Sequence, residues 1–348
     1  LIMPDIDGIV VVRQLARQKC TAAIIITSGA GSRVIEAAQR ASTEHGLNVL
    51  GSIAKPFSLS GLRALLNQAR PGKAVAASSP RAVPEVIENE ISEEALREAL
   101  AARQFRVFYQ PKISCADGRI AGFEALVRWQ HPERGLIRPD AFIPLAESTG
   151  LIHELTFQMM DMAFGWLATA GREASFLLAV NLSARSLGDM RFANEVFSAC
   201  WNRGVDPARV ILEVTETSAM ANSLTTLDLL TRLRIKGFQL SIDDFGVGYS
   251  SMVQLARLPF SEMKIDVSFV KNLARSEVSQ KIVKGIIGLG HSLGLRITAE
   301  GVEDRDALDY LQSVKCDLAQ GYFIGKPMDQ EQTLDWISGY DSSTMIMD

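Results

Sequence analysis

The sequence predicts an α/β protein, a modified (β/α)8 TIM-type barrel with one antiparallel strand, preceded by part of a doubly wound unit. Three observations carry this. Eight strand-like runs fall within residues 93–337, and a (β/α)8 barrel occupies about 250 residues. The first two runs flank Ala116-Asp117-Gly118, a hairpin signal that predicts antiparallel pairing. Most later runs are separated by helical stretches, which implies parallel strands joined by crossovers.

The elements follow in order. In residues 1–70 the run AAIIIT (22–27) is short, β-branched and apolar, the pattern of a buried parallel strand, and NVLGSI (48–53) is a second. Helical periodicity fills 9–18, 32–44 and 59–69. Residues 71–92 carry several prolines and small residues without a period, and read as a linker that turns helical near its end. The barrel runs are 105–114, 120–129, 176–183, 210–216, 238–246, 262–266, 296–303 and 318–325, with helices expected at 154–170, 185–203, 217–236 and 267–292. Residues 338–348 read as a C-terminal tail.

Composition narrows the function. The 348 residues are 47% hydrophobic and 22% charged, as in a soluble globular protein of about two domains. No apolar run reaches the roughly 18 residues of a membrane span. The net charge of −4 argues against a nucleic-acid polymer as partner. The four cysteines, 20, 115, 200 and 316, form no CxxC, so neither a zinc knuckle nor a disulfide framework is expected and a reducing cytoplasm fits.

Polar residues recur towards the ends of the barrel runs: Gln110 in the first, Glu124 and Arg128 in the second, then Asn181, then Glu213 and Glu216. Asp243-Asp244, Lys264 and Asp266, Glu300 and Glu303, and Gln320 complete the series. Barrel enzymes build their sites at that face, and a polar residue inside an apolar strand is costly unless paired or bound. Eight carboxylates stand against the cations Arg128 and Lys264. Two like charges about 4 Å apart repel by roughly 4 kcal/mol at an effective dielectric near 20. Carboxylates with an Asn carbonyl are hard oxygen donors, which selects Mg²⁺ or Mn²⁺. The adjacent Asp243-Asp244 pair suits two ions clamping a phosphoryl displacement.

At these residues the sequence resembles the EAL-domain family of cyclic di-GMP phosphodiesterases. The resemblance rests on YQPK (109–112), GFEALVRWQHPERGLIRPDAFIPLAESTGLI (122–152), VNLSA (180–184), LEVTET (212–217), SIDDFGVGYSS (241–251), MKIDVSFV (263–270), AEGVE (299–303) and CDLAQGYFIGKPM (316–328), in the family's order. It implies hydrolysis of cyclic di-GMP to linear pGpG with two Mg²⁺ or Mn²⁺ ions. Glu124, Asn181, Glu213 and Asp243 resemble the ligands of one ion, and Asp243, Asp244 and Glu300 those of the other. Lys264 resembles the residue that meets the catalytic water or the scissile phosphate. Gln110, Leu126, Arg128, Asp266 and Gln320 are expected at the substrate, with Arg128 on a phosphate. Glu303 and Gln320 resemble supporting groups, and Glu216 an anchor for the loop after the fifth strand. A homodimer through the barrel is also implied.

LIMPDIDG (1–8) resembles the segment that follows the phosphoacceptor Asp of response-regulator receiver domains, which are flavodoxin-like. That Asp would sit one position before Leu1. Thr27 resembles the switch hydroxyl and Lys55 the phosphate-pairing lysine, which implies a sensor histidine kinase as partner. Two positions depart from the EAL pattern. Val247 stands where the family usually has Thr, and Gly325 where it has Ser or Ala, the latter expected to matter little. Two other readings stay open: a catalytically silent receptor for cyclic di-GMP, and a glycosidase using a carboxylate pair without metal.

Overall fold

The computed structural model describes residues 8–28, 42–43, 46–55, 57, 59–68, 91–170, 176–220, 223–247 and 252–346. The chain divides into two compact units, 1–88 and 89–348. Most of the expected helix 32–44 and nearly all of the linker 71–92 lie outside the described residues, as does LIMPDID.

In the first unit, strand β1 (Ile24–Ser28) pairs parallel with β2 (Val49–Ala54), and the helices Gly8–Arg17 and Leu59–Gln68 flank them in sequence. Parallel pairing joins Thr27 to Ile53, so Thr27 and the exposed Lys55 both lie at the C-terminal ends of neighbouring strands.

The second unit is a closed barrel. Its strands are β3 (Phe105–Ser114), β4 (Ile120–His131), β6 (Leu177–Asn181), β7 (Val210–Thr215), β8 (Gln239–Phe245), β9 (Glu262–Ile265), β10 (Arg296–Ala299) and β11 (Leu318–Gln320). A short β5 (Gly135–Ile137) extends the β4 edge. From β4 round to β11 the pairing is parallel, while β3 is antiparallel to both β4 and β11 and closes the ring. The hairpin reading of 116–118 is therefore correct. Several strands are shorter than their apolar runs. Gly301, at φ +70, turns the chain after β10. Gly321 lies so close to the Val302 backbone that a Cβ there would sit 2.1 Å from its carbonyl oxygen. The expected helices 185–203 and 267–292 each split, into a 3-10 turn plus Phe192–Asn202 and into Val267–Val270 plus Glu277–Ser292. Ser276 starts the last of these by accepting from Ser279 N.

The strand period of two sorts β3 and β4 between two environments. Phe105, Tyr109, Phe123 and Trp129 are buried on the outer face. Tyr109 stacks on Trp166 of the helix Ile152–Ala170 at 4.0 Å between ring centroids, and Phe123 meets Trp166 edge-on at 5.3 Å. Gln110, Lys112 and Glu124 take the other face, inside the barrel. Residues 338–346 are less of a tail than expected. The helix Gln330–Gly339 reaches into them, Tyr340 Oη donates to Gly118 O, and Arg305 donates to the carbonyls of Thr344 and Ile346.

Candidate active site

Lys264 on β9 stands at the centre of the barrel mouth, almost wholly buried. Its Nζ lies 2.7 Å from Glu300 Oε1, 2.9 Å from Glu213 Oε2, 3.1 Å from Asp243 Oδ1 and 3.5 Å from Glu124 Oε2. Four strands thus deliver carboxylates to one ammonium. Gln320 on β11 donates to Glu124 Oε2 at 2.7 Å, and Asn181 on β6 donates to Glu124 Oε1 at 2.8 Å. Gln110, level with Glu124 in the β3–β4 ladder, accepts from Gln320 and donates to Gly325 O. The antiparallel course of β3 puts Gln110 in mid-strand, not at a C-terminal end.

Below the mouth lies a layer of charge that strand-end positions alone do not reveal. Lys112 Nζ is 2.7 Å from Glu213 Oε1 and 3.7 Å from Glu262 Oε1, and Arg296 grips Glu262 Oε2 with Nη2 at 2.7 Å and Nε at 3.0 Å. Lys112 and Glu262 sit two residues from Gln110 and Lys264, so the strand period puts them on the same inner faces. That spacing was the available signal.

Asp243 and Asp244 end β8. Asp244 holds φ at +55, a left-handed conformation that Asp tolerates better than most residues. Donor oxygens of Asp243, Asp244 and Glu300 all lie within 4.8 Å of one another. Burial, together with the neighbouring charges of Asp243 and Asp266, pushes the Asp244 carboxyl up to about 6. Burial and the Glu124 charge push Glu213 up to about 7. Burial also raises Glu300 against the pull of Lys264. Burial opposes ionisation of Glu124 too, but Lys264, Lys112 and the two amides outweigh it and hold that carboxyl well below its usual range. The same carboxylates hold Lys264 charged in spite of its burial.

Six carboxylates (Glu124, Glu213, Asp243, Asp244, Glu262, Glu300) therefore gather with Lys112, Lys264 and Arg296 at the mouth and in the layer below it, Asp244 at the exposed rim. The excess of negative charge and the hard oxygen donors fit a divalent cation. Asn181 spends its amide N–H on Glu124, which leaves its carbonyl oxygen as a donor, and Gln320 Oε1 is buried without a hydrogen-bond partner.

The remaining predicted residues lie around this core. Leu126 and Arg128 follow Glu124 on the same face of β4, half-buried. Arg128 donates to Val127 O at 2.8 Å and lies 5.9 Å from the Phe108 ring centroid. Asp266 caps the helix Val267–Val270 through Ser268 N, and its charge acts on the nearby Asp244 carboxyl. Glu216 opens the helix after β7, and its Oε2 accepts from Gly246 N at 2.9 Å, tying that helix to the turn after β8. Glu303 stands apart: it is exposed beyond the turn at Gly301 and pairs with Lys271 at 3.5 Å. Gly325 is more constrained than expected, because a Cβ there would lie 2.6 Å from Pro111 Cγ. Thr27 and Lys55 belong to the first unit and are described there.

A family model described as the EAL domain matches residues 93–327. The chain belongs to the EAL-domain family. Its EAL domain is 43% identical over 243 residues to the bifunctional diguanylate cyclase/cyclic di-GMP phosphodiesterase MucR of Pseudomonas aeruginosa, a match that covers 69% of this chain and 35% of MucR. The chain thus spans about a third of that relative. The cyclic di-GMP phosphodiesterase RocR of the same organism is 32% identical over 340 residues, covering 97% of this chain and 85% of RocR. A solved structure of the MucR phosphodiesterase in complex with c-di-GMP superposes with a TM-score of 0.66 at 42% identity, covering 69% of this chain and 98% of that one. The EAL barrel with its reversed first strand is the architecture expected from the sequence. Among the described residues, no helix is long and apolar enough to cross a membrane.

Proposed function

We propose that the chain hydrolyses cyclic di-GMP to linear pGpG, using Mg²⁺ or Mn²⁺ at the mouth of the EAL barrel. One observation carries the reading: the complete donor set Glu124, Asn181, Glu213, Asp243, Asp244 and Glu300 converges with Lys264 at one opening. Glu124, Asn181, Glu213 and Asp243 would hold one ion, and Asp243, Asp244 and Glu300 the other. When bound, such ions supply Lewis-acid activation of water and neutralise charge on the phosphodiester.

The chain's own groups do the rest. Lys264 keeps four carboxylates at fixed positions and presents a permanent positive charge beside them. Arg128, two residues beyond Leu126 on the β4 face, offers a planar fork suited to a substrate phosphate. Gln110 and Gln320 form an amide pair beside Glu124, and Gln320 donates to it; in this reading the pair would also serve substrate recognition. Glu216 holds the turn after β8 through Gly246 N, and so holds Asp243-Asp244.

The match to RocR extends through the first unit. This supports a wider reading in which that unit is a receiver, with Thr27 and Lys55 at its phosphorylation site and a histidine kinase upstream. A cytoplasmic homodimer belongs to the same reading. Incubation with cyclic di-GMP and Mg²⁺ or Mn²⁺, followed by chromatographic separation of nucleotides, tests the central claim. Appearance of pGpG is expected. Its absence at any protein concentration would sink the claim, and tight binding without turnover would make the chain a receptor.

A further inference from the structure

The inner charge layer is the feature that the donor set at the mouth does not account for. Interiors of (β/α)8 barrels are ordinarily filled by branched apolar side chains. Here six charged groups alternate in sign: Arg296, Glu262, Lys112, Glu213, Lys264 and Glu300, with successive separations of 2.7, 3.7, 2.7, 2.9 and 2.7 Å. Glu213 is the junction. It has no solvent exposure, and its two carboxylate oxygens are divided, Oε1 to Lys112 and Oε2 to Lys264.

The geometry points to Lys112 as a positioning residue for the metal-holding carboxylates. The inference rests on the reading of the mouth as a divalent-cation site. Lys112 stands one layer below the mouth, level with Gly122 in the β3–β4 ladder, two positions beyond the Gln110–Glu124 pair. Its side chain is buried among carboxylates and away from the open mouth. It acts by fixing the Glu213 carboxylate plane and by matching its charge from below, so that Lys264 is not the sole counter-charge. Glu262 and Arg296 hold Lys112 in turn, and Arg296 closes the chain on Gln239 Oε1 at 3.1 Å. Removing Lys112 leaves a buried carboxylate oxygen with no cation on that side, a costly state. Glu213 can then relieve it by rotating its carboxylate towards Lys264, away from the donor position. Groups that orient a metal's ligands in this way typically contribute 10- to 100-fold in affinity.

This makes a prediction opposite in sign to simple electrostatics. Deleting a positive charge near a cation site reduces repulsion and should tighten metal binding. A positioning role predicts weaker binding.

The experiment is calorimetric titration of Mn²⁺ into the full wild-type chain, Lys112→Met and Lys112→Arg. It is accompanied by metal-free melting curves and by kcat and KM for cyclic di-GMP at saturating Mn²⁺. Lys112→Met is expected to weaken Mn²⁺ binding about tenfold, with KM for the nucleotide changed by less than about twofold. Lys112→Arg, which keeps the charge but displaces the donor, is expected to weaken binding about threefold. Equal or tighter Mn²⁺ binding in folded Lys112→Met overturns the inference, whatever happens to its melting temperature. Should Lys112→Met not fold, Lys112→Arg decides, and wild-type Mn²⁺ affinity in that variant overturns it. Failure of the wild-type chain itself to bind Mn²⁺ overturns the underlying reading of the mouth instead.

Discussion

Lys264 Nζ and Glu300 Oε1, delivered by adjacent parallel strands, lie 2.7 Å apart at the centre of the barrel mouth. The same ammonium reaches Glu213, Asp243 and Glu124. One cation therefore holds together carboxylates that would otherwise repel one another. Removing one partner of a buried ion pair typically costs about 3–5 kcal/mol. Lys264→Met should therefore destabilise the barrel by about that amount in denaturant melts. Saturating Mn²⁺ should recover part of the loss, because a divalent cation compensates the same carboxylates. A variant as stable as the parent would contradict the central role given to Lys264.

Excess chelator should abolish turnover, and added Mn²⁺ or Mg²⁺ should restore it. A ligand that binds the folded state alone adds about 2.7 kcal/mol at a hundred times its dissociation constant. Metal should therefore raise the melting temperature as well, a readout independent of catalysis. Activity that persists in chelator would favour the metal-free carboxylate-pair chemistry instead.

Asp244 allows charge to be separated from backbone. Its φ of +55 is a conformation that Asn also adopts readily. Its side chain is exposed, so Asp244→Asn should change stability by less than about 0.5 kcal/mol. It replaces one of the three carboxylates whose donor oxygens gather within 4.8 Å by a neutral amide, so turnover should fall by at least about tenfold, as expected when a ligand loses its charge. Asp244→Ala should lose activity equally and also cost about 1–2 kcal/mol of stability from the left-handed backbone. Equal stability of the two variants would show that the strain argument is wrong.

Much of this was legible in the sequence. The alternation of apolar runs with helical stretches gave the barrel, and Ala116-Asp117-Gly118 gave the reversed first strand. Polar residues inside those runs marked the mouth, because burial of Glu124 or Asp243 makes no sense without a partner. Lys112 and Glu262 carry the same signal one layer below the strand ends. Their importance depends on closure of the barrel: Lys112 on β3 meets Glu213 on β7 across the barrel interior, 101 positions away in the chain. Glu303 stands outside this cluster. Its apolar run continued past Gly301, but the chain turns there and carries the side chain out to Lys271. Turns fixed by close backbone approach, such as Gly321 against Val302, leave little periodicity to read.

Arg128 is the test of substrate recognition. It is half-buried, steadied by Val127 O and beside the Phe108 ring. Lysine would keep the charge but lose the planar fork and the ring contact. Arg128→Lys should raise KM for cyclic di-GMP by about tenfold, the scale of one lost charge-assisted hydrogen bond, with Mn²⁺ affinity unchanged. An unaltered KM would remove Arg128 from the substrate site.

Gly325 links packing to the site. Its carbonyl accepts from Gln110 Nε2 at 3.2 Å, Gln110 bonds Gln320, and Gln320 bonds Glu124. A methyl group at 325 would stand 2.6 Å from Pro111 Cγ and 3.2 Å from Cδ. The proline ring is part of β3 and cannot swing away as a flexible side chain could, so the Gly325 segment or β3 must move. Overpacking of this kind costs about 1–3 kcal/mol. Gly325→Ala should therefore lower stability by that amount in denaturant melts. It should also raise KM for cyclic di-GMP, because the displaced carbonyl no longer holds Gln110. If stability and KM both stay at the parent values, Pro111 yields to the methyl group and Gly325 plays no part in holding the amide pair.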